Sequence, residues 1–199
     1  MWDSKVWTLS NGIKVVLKPT DFQADIINLS GYKVGESDEP LSGALFGLFR
    51  ADEAAFTAET ALAVSISDAD GSFSFDKIPY GNWLIREIAA PEGYVLSDEV
   101  YPVTIAENGV VLEIKITNER IRGNVQLTKV DKDYPENKLS GAGFELYADS
   151  NGNSEFDSED SLVGMLQELT GGNYQMNDLL FGGYFVKEKT APQGFYLDE

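Results

Sequence analysis

Apolar and polar side chains alternate in short runs along most of this chain, as in Val125 to Asp131, Phe73-Ser74-Phe75, Trp83 to Glu87 and the long stretch from Tyr101 to Asn118. A period of two puts every second side chain on one buried face, the pattern of strands. Asn108-Gly109, between two such runs, predicts a hairpin turn, because a type I′ turn needs positive φ at both central positions. Gly71, Gly81, Pro91 and Gly93 punctuate the other runs at turns. Only the stretch from Ala51 to Ala63 has the alanine and glutamate content of a helix, enough for one or two turns on a connection. The pattern predicts an all-β chain folded as a pair of antiparallel β-sandwiches.

The runs repeat. Leu41-Ser42-Gly43-Ala44 returns as Leu139-Ser140-Gly141-Ala142, and the block from Gly71 returns from Gly171 or Gly172. Glu87-x-x-Ala90-Pro91-x-Gly93-Tyr94 returns as Glu188-x-x-Ala191-Pro192-x-Gly194-Phe195. Offsets of 98 (139 − 41) and 101 (188 − 87) with block order preserved mark a tandem repeat with small loop insertions. The expected division is an N-terminal hairpin segment over 1–24, a first domain over 25–119 and a second over 120–199. The second has no counterpart of the run ending at Asn118. The N-terminal segment carries that same strand, Asn-Gly, strand pattern and reads as the end of a preceding repeat.

Parity also turns polar groups inward. Lys33 shares its face with Ile27 and Leu29, Glu87 with Trp83 and Ile85, and Asn118 with Leu112, Ile114 and Ile116. In the second unit Lys129 falls with Val125 and Leu127, and Glu188 with Tyr184 and Val186. Lone ions in a dry interior are costly, so such groups must pair or become neutral. One reading is a buried ion pair with an asparagine filling spare hydrogen bonds. The other is chemical: desolvation favours a free amine beside a neutral acid, and an amine about 3–3.5 Å from the Asn118 carboxamide can attack it. Ammonia leaves and an isopeptide bond remains. Lys33 lies eight residues before Leu41, whereas Lys129 lies ten before Leu139, so Gly31 competes with Lys33 as the counterpart of Lys129.

The inward lysine, the Leu-Ser-Gly-Ala opening, the late Glu-x-x-Ala-Pro-x-Gly-aromatic motif and the closing asparagine together resemble the Cna B-type (SpaA-like) domains of Gram-positive pilins and adhesins. The resemblance covers residues 25–199. It implies an immunoglobulin-like or prealbumin-like sandwich and an autocatalytic Lys–Asn or Lys–Asp bond between first and last strands. Carried over, it assigns Lys33, Glu87 and Asn118 to that bond. Lys129 and Glu188 match in the second unit, with the acceptor expected near position 219. It further implies a secreted, cell-wall-anchored surface protein whose export and anchoring signals lie outside this segment. Its role would be that of a stalk or spacer next to neighbouring repeats, with self-crosslinking as its only chemistry. The alternative is an adhesin module gripping a host protein or glycan through its loops. A strand from another molecule, ending at Asp21, is a further candidate to complete the second unit.

Composition narrows the rest. With 33 acidic and 15 basic residues the net charge is −18, which disfavours nucleic acid and anionic membrane surfaces. The apolar runs are too short to insert in a bilayer. The chain has no cysteine and no histidine, so disulfides, thiolate or imidazole zinc sites and Ser-His catalysis are unavailable. Between Asp149 and Asp160, side-chain oxygens on Asp149, Asn151, Asn153, Asp157 and Asp160 fall at positions 1, 3, 5, 9 and 12 of an EF-hand-like loop, with Glu155 at the position that offers a backbone carbonyl. That spacing suits Ca²⁺, although Ser154 replaces the usual glycine and an aspartate the final glutamate. The competing reading is an acidic, solvated loop. Trp83, Phe73 and Phe75 read as core.

Overall fold

The computed structural model describes residues 5–8, 14–17, 27–106 and 112–197. All regular structure among them is β, in fifteen strands. At the N-terminus β1 (Lys5–Thr8) and β2 (Lys14–Leu17) pair antiparallel, from Lys5↔Leu17 to Thr8↔Lys14. The first unit has two sheets. One runs in the order β6 (Ser72–Ile78), β3 (Ile27–Val34), β9 (Leu112–Thr117), and the other β5 (Ala63–Ile66), β4 (Leu45–Arg50), β7 (Gly81–Ala89), β8 (Val100–Ile105). All these pairs are antiparallel except β3 and β9, which run side by side in the same direction from Leu29↔Leu112 to Val34↔Thr117.

The second unit repeats the plan with β10 (Arg122–Thr128), β14 (Asn173–Leu180) and β13 (Gln167–Glu168) in one sheet. Its other sheet holds β12 (Ser161–Met165), β11 (Gly143–Ala148) and β15 (Tyr184–Thr190). Counterparts of β8 and β9 are missing from it among the described residues.

The inward faces of the first unit meet in a core that includes Leu29, Phe46, Leu48, Phe75, Ile85 and Ile116. The Phe46 and Phe73 rings stack at 4.0 Å. Gly31 makes room for that stack, since a Cβ there would come within 2.4 Å of the Phe73 ring. The second core is smaller, built on Phe144, Leu146, Leu166, Tyr174 and Leu179.

Two sequence expectations fail. The 51–62 connection is irregular, not helical: Phe56 packs edge-on against Phe49 at 4.9 Å with Arg86 over its ring, and Glu53 Oε1 accepts the amides of Ala54 and Ala55. Tertiary packing of one aromatic overrides weak helix propensity. The strands flanking Asn108-Gly109 join different sheets, so they form no hairpin ladder; the turn itself lies outside the described residues.

The connection between units is tied to both. Ile121 donates its amide to Gly93 O at 2.8 Å and accepts that of Phe181 at 3.1 Å. Arg120 bonds Glu39 at 2.7 Å beneath Tyr94, whose hydroxyl donates to the same carboxylate, and Arg122 bridges Glu36 of the first unit and Asp178 of the second.

Candidate functional site

Lys33, Glu87 and Asn118 come together inside the first unit, all but fully buried. Lys33 stands near the end of β3, Glu87 on β7 in the opposite sheet, and Asn118 just past β9. The alternation that buries Leu29, Ile85 and Ile116 carries these three polar groups inward with them. Lys33 Nζ lies 3.8 Å from Glu87 Oε1 and donates to the carbonyl of Ile116 at 3.3 Å. Asn118 Nδ2 is 2.9 Å from both oxygens of Glu87, and Ser97 gives its backbone amide to Oε2 at 3.0 Å. The carboxyl therefore touches both amine and carboxamide. Asn118 Oδ1 is buried without a partner. Desolvation, only partly offset by Glu87, lowers the Lys33 pKa to about 8. A cavity of roughly 510 Å³, lined by Leu96, Ser97, Tyr101, Thr117 and Asn118 among others, opens beside the carboxamide.

The backbone resolves the choice between Lys33 and Gly31. Lys33 N donates to Gly71 O at 2.8 Å and Lys33 O accepts from Leu41 N at 2.9 Å; Lys129 makes the same two bonds, to Gly172 and Leu139, at 2.9 Å each. Lys33 is the counterpart of Lys129, and the two extra residues of the second unit sit in the loop between the bridges Val130↔Lys138 and, in the first unit, Val34↔Pro40. Gly71 and Gly172 both have positive φ, and a Cβ on either would strike backbone, Lys33 O at 2.3 Å or Leu139 O at 2.7 Å.

In the second unit Lys129 Nζ reaches Glu188 Oε2 at 2.8 Å, with side-chain exposures of 22% and 10%. Glu188 Oε1 is buried and unpartnered. Parity turns Val186 inward, yet it is 40% exposed, because no strand covers that flank among the described residues. Asp21 lies outside the described residues.

The calcium expectation is not supported. Among the described residues, no three acidic side chains assemble around a common point. The oxygens of Asn151, Asn153 and Asp157 instead accept the amides two residues on, from Asn153, Glu155 and Glu159. Asp149 caps Ser154 N, and Asp160 caps Ser150 N and Asp157 N. Successive Asx turns need the same every-second-residue spacing as a cation loop, and this explains the pattern without a metal. Sequence reasoning missed Ser97, whose contribution is a main-chain amide, and the Glu39–Tyr94–Arg120 cluster, which joins distant segments.

The family model described as "SpaA: Prealbumin-like fold domain" matches residues 27–120 and again 123–199. The chain belongs to this family. It carries two SpaA domains in tandem, each with an all-β, prealbumin-like fold. Among solved structures, the Bacillus anthracis TIE protein is similar over 100% of this chain and 37% of its own, at 23% identity and a TM-score of 0.73. This SpaA pair thus spans little more than a third of that protein. A streptococcal ancillary pilin aligns over 92% of the chain and 62% of its own at 20% identity and a TM-score of 0.47. The shaft pilin SpaA from Lactobacillus rhamnosus GG aligns over 86% and 90% at 14% identity and a TM-score of 0.37. No curated protein sequence matches the chain.

Proposed function

We propose that this chain is a structural segment of a bacterial cell-surface stalk whose first SpaA domain locks itself with an isopeptide bond between Lys33 and Asn118. The observation that carries the reading is a single buried carboxyl, Glu87, in contact with both the amine and the carboxamide. Desolvation frees the amine at only mildly alkaline pH. Lys33 Nζ attacks Cγ of Asn118, Glu87 takes the proton released by nitrogen, and it passes a proton to Nδ2, already at 2.9 Å. The new C–N bond forms, the old one breaks, and ammonia leaves into the adjoining cavity. Ser97 N fixes the carboxyl throughout. The turnover is single, and the domain is its own substrate.

Intact mass tests this. The folded chain should weigh about 17 Da less than its sequence, the mass of one ammonia, and Glu87→Ala should restore the full mass. A folded parent at full mass overturns the proposal.

A further inference from the structure

We propose that the junction between the units is an ionic latch, in which Glu36, Glu39, Arg120, Arg122 and Asp178 hold the two sandwiches at one fixed angle. Salt releases that angle and leaves both units folded. The proposal is independent of the bond-forming reading. Domains joined in one chain move against each other unless a large, apolar interface holds them. Here the apolar tie is slight. The two cores are separate clusters, and Phe181, which a Cβ on Gly93 would approach within 3.5 Å, stays 56% exposed.

Only residues 118–121 separate β9 from β10. That short connection lies against the turn after β7 through the bridge Tyr94↔Arg120, with Val95 N on Glu119 O and Ile121 N on Gly93 O, each at 2.8 Å. The connection is thus fixed to the first unit. Charges then carry the tie across to the second. Arg122, at the head of β10, is steadied by Asp178 of β14 at 3.2 Å and reaches Glu36 of the first unit at 3.1 Å. The other oxygen of Glu36 accepts Arg120 N at 2.8 Å, while Glu39 takes the Arg120 guanidinium at 2.7 Å as it stacks on the Tyr94 ring. Both carboxyls are held below their usual range, Glu36 by the Arg120 amide and the Arg122 guanidinium and Glu39 by the Arg120 guanidinium, so both stay ionised. Single part-exposed pairs add little to the stability of a fold, but linked charges act as a network, and an angle needs less to hold it than a fold does.

The latch belongs to this junction and not to the repeat. Gly35 N on Glu39 O matches Asp131 N on Asn137 O, and Tyr94 N on Pro91 O matches Phe195 N on Pro192 O. Asn137 therefore stands where Glu39 does, and Phe195 where Tyr94 does. The second unit has neither that carboxylate nor that hydroxyl.

The chain has no cysteine, so Glu113→Cys and Gln126→Cys, at exposed strand positions, place one spin label on each unit, clear of the latch. Double electron–electron resonance should give a single narrow distance distribution for this labelled chain at low salt. The distribution should become about twofold broader with Arg122→Glu, which sets a carboxylate between Glu36 and Asp178 and frees the units to move. It should broaden likewise near ~1 M salt, where charges act over only about 3 Å. Scanning calorimetry should show both units still melting cooperatively in each case. A broad distribution at low salt without the Arg122 substitution overturns the proposal, and so does a narrow one that survives either the salt or the charge reversal. The salt measurement changes no latch residue, so it decides the matter even where Arg122→Glu fails to fold.

Discussion

The two units hold a lysine and a glutamate at the same points of the same frame, yet the pairs differ. In the first unit the ions stand 3.8 Å apart with exposures of 0% and 1%; in the second they touch at 2.8 Å with exposures of 22% and 10%. The closer contact belongs to the wetter pair. Where water reaches, the lysine and the glutamate meet in the short contact of an ordinary part-exposed salt bridge. Where β8 and β9 close the sandwich, desolvation pulls the Lys33 pKa down to about 8, and the carboxyl is shared with a carboxamide. Among the described residues, what separates the two pairs is β9, which covers the first and brings Asn118 to its carboxyl.

The strongest way to break that difference is Asn118→Ala. The proposed bond from 33 to 118 would close a loop of about 85 residues, and by analogy with disulfides the variant that cannot form it should be less stable by about 4 kcal/mol. Scanning calorimetry should show the melting of the first unit fall on the order of 20 °C, towards that of the second. Next in size are the matched substitutions Gly71→Ala and Gly172→Ala. Both add a Cβ against backbone at positive φ, so each should lose about 1–3 kcal/mol in its own unit, as read by denaturant titration. Equal losses sharpen the view that the units share a frame; a loss in only one breaks it.

A smaller, pH-dependent effect follows in the Asn118→Ala variant, provided its Lys33 stays as desolvated as in the parent. The unfolded lysine holds its proton up to about pH 10.5, while the folded one releases it near pH 8. Between those values the unfolded chain binds more protons, so stability should rise with pH across that window and be lowest below it. A flat urea midpoint from pH 8 to 10 counts against a desolvated amine. The smallest effect is expected from Arg120→Ala. It removes a part-exposed pair with Glu39, whose carboxyl that guanidinium holds down to about 2. The loss should be slight and fade with added salt, with the first unit's melting otherwise unchanged.

Much of this was legible because strand parity is rigid. A period of two, anchored on Leu29, Ile85 and Ile116, is enough to turn Lys33, Glu87 and Asn118 inward. Composition without periodicity misled: the alanines and glutamates of 51–62 favour a helix only weakly, and Phe56 found a better partner in Phe49. The Asp149–Asp160 loop misled for another reason, since alternate Asx residues serve backbone amides as well as cations. Sheet membership was out of reach. Nothing local distinguishes a turn that returns β9 beside β8 from one that sends it across the sandwich to lie along β3, because that choice depends on burial contributed by distant residues.

The parallel alignment of β3 and β9 decides how far such modules reach. A chain that enters at the head of one strand and departs from the tail of a neighbour pointing the same way has advanced, by about 25 Å for eight residues, instead of doubling back. With the proposed Lys33–Asn118 bond at the departing end, tension would follow residues 27–33, cross the new amide and continue into the second unit. Residues 34–117, Glu87 among them, would then hang beside that path and carry little of the load.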